Sequence, residues 1–118
     1  MGAYISTVAP VVPTMAMGSA MGGVYDIPLV AFETEGVFTS TTPVDAYRGA
    51  GRPEATYVVE RIVETAAREL KMDPAEFRRK NFVTQFPHQT PVIMCYDAGD
   101  YAAALDKLKA LTGEGENK

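Results

Sequence analysis

The chain has 118 residues, a net charge of -4 at pH 7, 47% hydrophobic and 22% charged residues, an ordinary balance for one small soluble domain with a single core. No basic run occurs outside Arg78-Arg79-Lys80, which argues against general nucleic-acid binding. No stretch reaches the roughly 18–20 apolar residues of a membrane span, no secretory signal opens the chain, and the single Cys95 cannot form an internal disulfide; a cytoplasmic protein is expected.

Residues 3–9 are rich in β-branched and aromatic types and predict a short strand, ended by Pro10 and Pro13. Residues 14–23 alternate Met15, Met17 and Met21 with small residues, and predict a helix stopped by Gly22 or Gly23. A methionine-lined channel is one account of that pattern. A packed core helix is the better one, because methionine commonly fills irregular gaps.

Residues 29–41 alternate as a strand would, with Val30, Phe32, Thr34 and Phe38 on one face. Glu33 and Glu35 share the other face, where two carboxylates are solvated more often than they do acid–base work.

The stretch Ala46-Tyr47-Arg48-Gly49-Ala50-Gly51-Arg52-Pro53-Glu54 is the sequence's most distinctive. Gly49 and Gly51 permit positive φ and close approach of a ligand to the main chain, and Pro53 suits the first position of a helix. The helix that follows turns its unpaired N–H groups towards the loop, between Arg48 and Arg52. In outline this is an anion site. An ordinary loop with two surface arginines has the same spacing, so a Gly-x-Gly match alone does not decide.

From Pro53 to about Leu70, Ala55, Val58, Val59, Ile62, Val63, Ala66, Ala67 and Leu70 form an apolar stripe, with Glu64 and Arg68 paired on the polar side. Asp73-Pro74-Ala75-Glu76 announces a second helix, N-capped by Asp73 and closed by the cations 78–80, where the dipole favours them. Residues 82–95 hold Pro87, Pro91 and the single His88 and predict an extended loop, with His88 structurally satisfied and Cys95 buried and inert. Asp97 or Asp100 caps a last helix carrying Tyr101, Ala104, Leu105 and Leu108 on one side; residues 112–118 have nothing to bury and are expected to be disordered.

The run from Thr42 through Ala55 resembles the signature of the molybdenum hydroxylases, the family of xanthine dehydrogenase, aldehyde oxidase and aerobic carbon monoxide dehydrogenase, in their large molybdopterin-binding subunit. Ordered matches continue on both sides: Gly2-Ala3-Tyr4, Pro13-Thr14, Ala66-Ala67-Arg68-Glu69-Leu70, Asp73-Pro74, Arg78-Arg79-Lys80-Asn81-Phe82 and Tyr96-Asp97-Ala98-Gly99-Asp100-Tyr101. The resemblance covers the chain from Gly2 to about Leu108.

It implies an α+β fold of short strands with three helices packed on them, a slice (residues 1–111) of a larger molybdopterin-binding domain. It implies a molybdenum–molybdopterin cytosine dinucleotide cofactor, contacted by Tyr47, Arg48, Gly49, Ala50, Gly51 and Arg52, with residues 48–51 beside the metal-dithiolene end. FAD-binding and iron–sulfur subunits and a small-molecule substrate follow from the same resemblance. Two departures qualify it. Gly49 stands where copper-containing carbon monoxide dehydrogenases have a copper-holding cysteine, and Ala50 stands where purine and aldehyde hydroxylases commonly have an aromatic residue. The family's catalytic glutamate and other cofactor loops lie outside the chain, so no catalytic residue is assigned. The competing readings are a free-standing anion- or partner-binding α+β module and an inactive remnant.

Overall fold

In the computed structural model, residues 1–113 are described; the expected disordered tail therefore falls, over 114–118, outside the described residues. Helix α1 (Met17–Ser19) continues a π-helical turn (Val12–Ala16). It is followed by α2 (Arg52–Glu69), α3 (Pro74–Asn81), a two-stranded antiparallel ribbon of β1 (His88–Gln89) and β2 (Cys95–Tyr96), and α4 (Tyr101–Thr112). His88 faces Tyr96 and Gln89 faces Cys95.

The start signals read from the sequence work as expected at α3 and α4. The Asp73 carboxylate accepts from the amides of Ala75 and Glu76, at 3.0 and 2.9 Å, and Asp100 accepts from Ala103 at 2.9 Å. Gly113 closes α4 in the left-handed conformation.

The core lies between α2, α3 and residues 21–27. Tyr25, Val59 and Val63 form its centre, with Met21, Val24, Ile27, Phe77 and Phe82 packed against it. Tyr25 and Phe82 form an antiparallel bridge flanked by Asp26 N–H to Asn81 C=O (2.8 Å) and Val83 N–H to Val24 C=O (3.0 Å). Their rings stack at 5.8 Å, and Tyr101 continues the aromatic run from α4 at 5.9 Å from Phe82. The Tyr96 hydroxyl donates to the Gly23 carbonyl at 2.7 Å and ties β2 to the same segment.

Three expectations fail for physical reasons. Residues 3–9 and 29–41 are not strands: residues 1–3 are hydrogen-bonded to residues 37–41, but no further strand completes a ladder. The apolar stripe of α2 is only half used. Ala55, Val59, Val63 and Ala67 are buried, whereas Ile62 and Leu70 are each 61% exposed, because only one side of the helix is covered. Finally, 118 residues do not build a closed domain. The radius of gyration is 17.2 Å, against about 13–14 Å for a compact chain of this length, and no large side chain is completely buried among the described residues.

Candidate functional site

The basic loop is a tight turn with three consecutive residues at positive φ: Gly49 at 103°, Ala50 at 40° and Gly51 at 87°. Its internal bonds are Ala50 N–H to Tyr47 C=O (2.9 Å) and Arg52 N–H to Gly49 C=O (3.2 Å), and Gly51 C=O accepts the first helical bond of α2 from Ala55 at 2.9 Å. Gly51 is the N-cap of α2 and Arg52 its first residue, so Pro53 stands one position later than expected. Pro tolerates this place equally well, since the second N–H of a helix also lacks an intrahelical partner.

What demands glycine at 51 is the neighbouring backbone. A Cβ there would lie 2.5 Å from the Met17 nitrogen and 2.6 Å from the Val12 oxygen, at the point where the π-helical turn passes into α1. The methionine-rich helix therefore seats the loop. At Gly49 a Cβ would meet the Pro53 ring at 2.8 Å.

The six residues expected to touch the cofactor occupy this one turn, but they are not equivalent. Tyr47 is 89% exposed, and Arg48 is exposed and makes no hydrogen bond or ion pair among the described residues. Arg52 instead folds its guanidinium back onto the Gly49 carbonyl at 3.4 Å. The amides of Gly49, Gly51 and Glu54 have no protein acceptor among the described residues, whereas those of Ala50 and Arg52 are used inside the turn. The donors left over in and beside the turn include these amides, those of Tyr47 and Arg48, and the Arg48 guanidinium.

That set suits a cofactor edge held mainly by main-chain groups. It does not make a closed phosphate pocket, because Pro53 supplies no amide and the Glu54 carboxylate sits in the first turn. Beside Glu54 opens a groove of about 660 Å³ walled by residues 9–14, 34–39 and 44–45. Its lining includes the carboxylates of Glu35, Asp45 and Glu54, no Lys or Arg side chain, and Met1, whose terminal ammonium donates to the Val37 carbonyl at 2.9 Å. Among the described residues no group of three or more His, Cys, Asp or Glu could hold a metal ion.

The polar groups that hold the scaffold were not visible from spacing. Glu60 on α2 accepts from the Tyr25 hydroxyl (2.7 Å) and from Arg78 Nε (2.9 Å), and Arg78 Nη1 reaches Glu64 at 3.2 Å. Burial first, then the bond to Glu60, pushes the Tyr25 phenol far above its ordinary value. The bond from Arg78 holds the Glu64 carboxyl below the usual carboxylate range. Arg68 pairs with Glu64 at 3.0 Å as expected, and Arg79 pairs with Asp106 of α4. The 78–79 arginines therefore join helices, in addition to favouring the end of α3.

Two expectations about side chains are corrected. Cys95 is exposed, because side chains alternate along β2 and the neighbouring Tyr96 takes the face turned to Gly23. His88 is half-buried, and its Nε2 is buried without a hydrogen-bond partner among the described residues.

Comparison with known proteins agrees with this geometry. Residues 1–82 match the molybdopterin cofactor-binding domain family. The chain is 46% identical over 90 residues to the carbon monoxide dehydrogenase large chain of Hydrogenophaga pseudoflava, covering 73% of this chain and 11% of that protein. It is 36% identical over 89 residues to the nicotine 6-hydroxylase large subunit of Paenarthrobacter nicotinovorans, covering 75% and 11%. In the crystal structure of quinoline 2-oxidoreductase from Pseudomonas putida 86, a region equal to 15% of that chain superposes on 96% of this one, with TM-score 0.81 and 28% identity. The chain thus spans about a tenth of the length of the curated relatives it matches, and these are large subunits of multi-subunit enzymes. With an α+β fold, a glycine turn seated on a methionine-rich helix, and a family match over residues 1–82, the chain belongs to the molybdopterin cofactor-binding domain family.

Proposed function

We propose that this chain is the cofactor-facing segment of a molybdenum hydroxylase large subunit, and that residues 47–52 contact the molybdenum–pterin group. The observation that carries the reading is the turn with three successive positive-φ residues, which leaves the amides of Gly49, Gly51 and Glu54 and the Arg48 guanidinium without protein partners. When bound, the cofactor supplies the redox chemistry for hydroxylating a small molecule with oxygen from water.

The chain's own part is to orient that group. The Gly51 contact with the π turn fixes the loop's height, and the amides offer donors to the pterin edge. Arg48 supplies the one uncommitted positive charge of the turn. A cytidine diphosphate tail is left to loops elsewhere in the subunit, consistent with the acidic groove beside α2. Iron–sulfur and FAD-binding partner subunits belong to the same proposal, supported by relatives named as a large subunit and a large chain. A reducing, cytoplasmic location is supported by the free Cys95. Gly49 has no thiolate to offer, so copper-dependent oxidation of carbon monoxide is not part of the reading.

The test is a chimera carrying residues 1–82 of this chain in place of the matched segment of the Hydrogenophaga pseudoflava large chain. The chimera is expected to retain molybdenum, measured by mass spectrometry of the purified complex, and Arg48→Ala is expected to lower that content about tenfold. Equal molybdenum in both, with equal cofactor release on denaturation, would overturn the assignment of the loop.

A further inference from the structure

Residues 28–36 pass the seat of the glycine turn with no backbone hydrogen bond among the described residues. Two side chains at alternate positions touch the seat instead. The Thr34 hydroxyl donates to the Pro13 carbonyl of the π turn at 3.3 Å. The Phe32 ring lies on Gly18 of α1, where a Cβ would meet its Cε1 at 3.0 Å and its Cδ1 at 3.1 Å. Phe32 is accordingly 40% exposed, whereas Leu29 of the same segment is 82% exposed.

The seat depends on such support. The π turn buries no residue, α1 buries only Gly18, which has no side chain, and Pro13 brings no N–H to the turn. A short element without a packed side chain is placed by what presses on it. Gly51 presses on Val12 and Met17. Thr34 and Phe32 hold Pro13 and Gly18, each the next residue along the chain.

We propose that Phe32 and Thr34 are positioning residues for the cofactor turn: they hold the π turn and α1 where Gly51 rests, and so set where the amides of Gly49, Gly51 and Glu54 stand. The inference rests on the functional reading above for what those amides meet. The ring on a glycine fixes how closely the segment approaches α1, and the hydroxyl-to-carbonyl bond fixes the register of that approach. The contact between Gly51 and the seat has no slack, because even a methyl there would come within 2.5 Å of the Met17 nitrogen. A displaced seat therefore moves the turn with it. If the two side chains only tether their own segment, the turn is indifferent to them.

The experiment follows hydrogen exchange in the 118-residue chain at the Ala50 and Arg52 amides, which bond inside the turn, and at the Asp26 and Val83 amides, which bond in the core. Phe32→Ala is expected to quicken exchange at the turn amides at least about tenfold and Thr34→Val about threefold, with Asp26 and Val83 unchanged. Phe32→Tyr and Thr34→Ser keep the ring and the hydroxyl and are expected to exchange at the parent rates. In the chimera carrying residues 1–82, Phe32→Ala is expected to lower molybdenum content at least about threefold, and Phe32→Tyr to match the parent. Parent exchange rates in the turn of both Phe32→Ala and Thr34→Val would overturn the proposal. Quickening that spreads equally to Asp26 and Val83 would do the same, since it reports a loss of overall stability. Thr34→Val leaves the ring on Gly18 in place, so the turn can still be read if Phe32→Ala unfolds. Parent molybdenum content in the Phe32→Ala chimera, where Arg48→Ala lowers it, would overturn the positioning role. Parent content in the Arg48→Ala chimera as well is the failure of the functional reading; the exchange rates need no cofactor and still decide whether Phe32 and Thr34 place the turn.

Discussion

In α2, every fourth residue from Ala55 to Ala67 is buried, with Val59 and Val63 packed against residues 21–27 and α3, whereas every residue from 31 to 48 is exposed. Both stretches carry a periodic apolar pattern, yet only the first finds a surface to cover. A helix satisfies its own backbone, so α2 needs just one packed face to be stable. A strand satisfies its backbone only through neighbours, so residues 37–41 pair with residues 1–3 while residues 28–36, with no such neighbour among the described residues, form no ladder. The difference between the two halves is therefore one of hydrogen-bond accounting more than of hydrophobicity.

The sharpest way to break that comparison is to place the same charge in each half. Val59→Asp puts an unpaired carboxylate beside Tyr25 and Val63 and is expected to cost at least about 3 kcal/mol, a large part of the total stability of a small domain. Val37→Asp is expected to change stability by less than about 0.5 kcal/mol, because its side chain already faces water. Urea unfolding followed by circular dichroism measures both, and equal losses would show that residues 29–41 are part of the cooperative unit.

Gly51→Ala probes the seam between the halves. The residue sits at φ 87° with the Met17 and Val12 backbone in the space its methyl would need, and a loss of about 1–3 kcal/mol is expected. Amide chemical shifts of Val12 and Met17 should move with it; if they stay fixed, the π turn does not hold the loop.

Among the destabilising substitutions Arg78→Met is the mildest, at about 1 kcal/mol, since the Glu60 and Glu64 side chains it bonds remain partly open to water. Its pH signature is more specific. Hydrogen bonding from Arg78 lowers the Glu64 carboxyl below its ordinary value of 4.5. The stabilisation from that shift is complete above 4.5 and is lost as pH falls through the lower folded value. Thermal melts between pH 6 and pH 2 should therefore show a smaller acid-side fall in Arg78→Met than in the parent chain. Parallel curves would mean that the clamp contributes nothing through Glu64.

Local chemistry made some features legible and left others hidden. Asp73 and Asp100 announce their helices because a cap is settled within three residues, and the glycines and Pro53 mark the turn into α2 for the same reason. The exposure of Cys95, the orphaned Nε2 of His88 and the Glu60–Tyr25–Arg78 clamp depend on partners far away in the chain, for which no spacing rule exists. The alternation in residues 29–41 was real, but a period of two states which faces differ and says nothing of whether a partner strand is present.

By itself, the sequence determined the helices, their caps, the glycine turn and the kinship with molybdenum hydroxylases, all of which rest on residue types at short, fixed separations. The tertiary structure alone decided that Gly51 is pressed on the π turn, that Arg52 folds back while Arg48 stays uncommitted, and that the groove beside them is acidic. Those outcomes depend on which backbones approach one another, and approach is set by packing across distant segments rather than by any one of them.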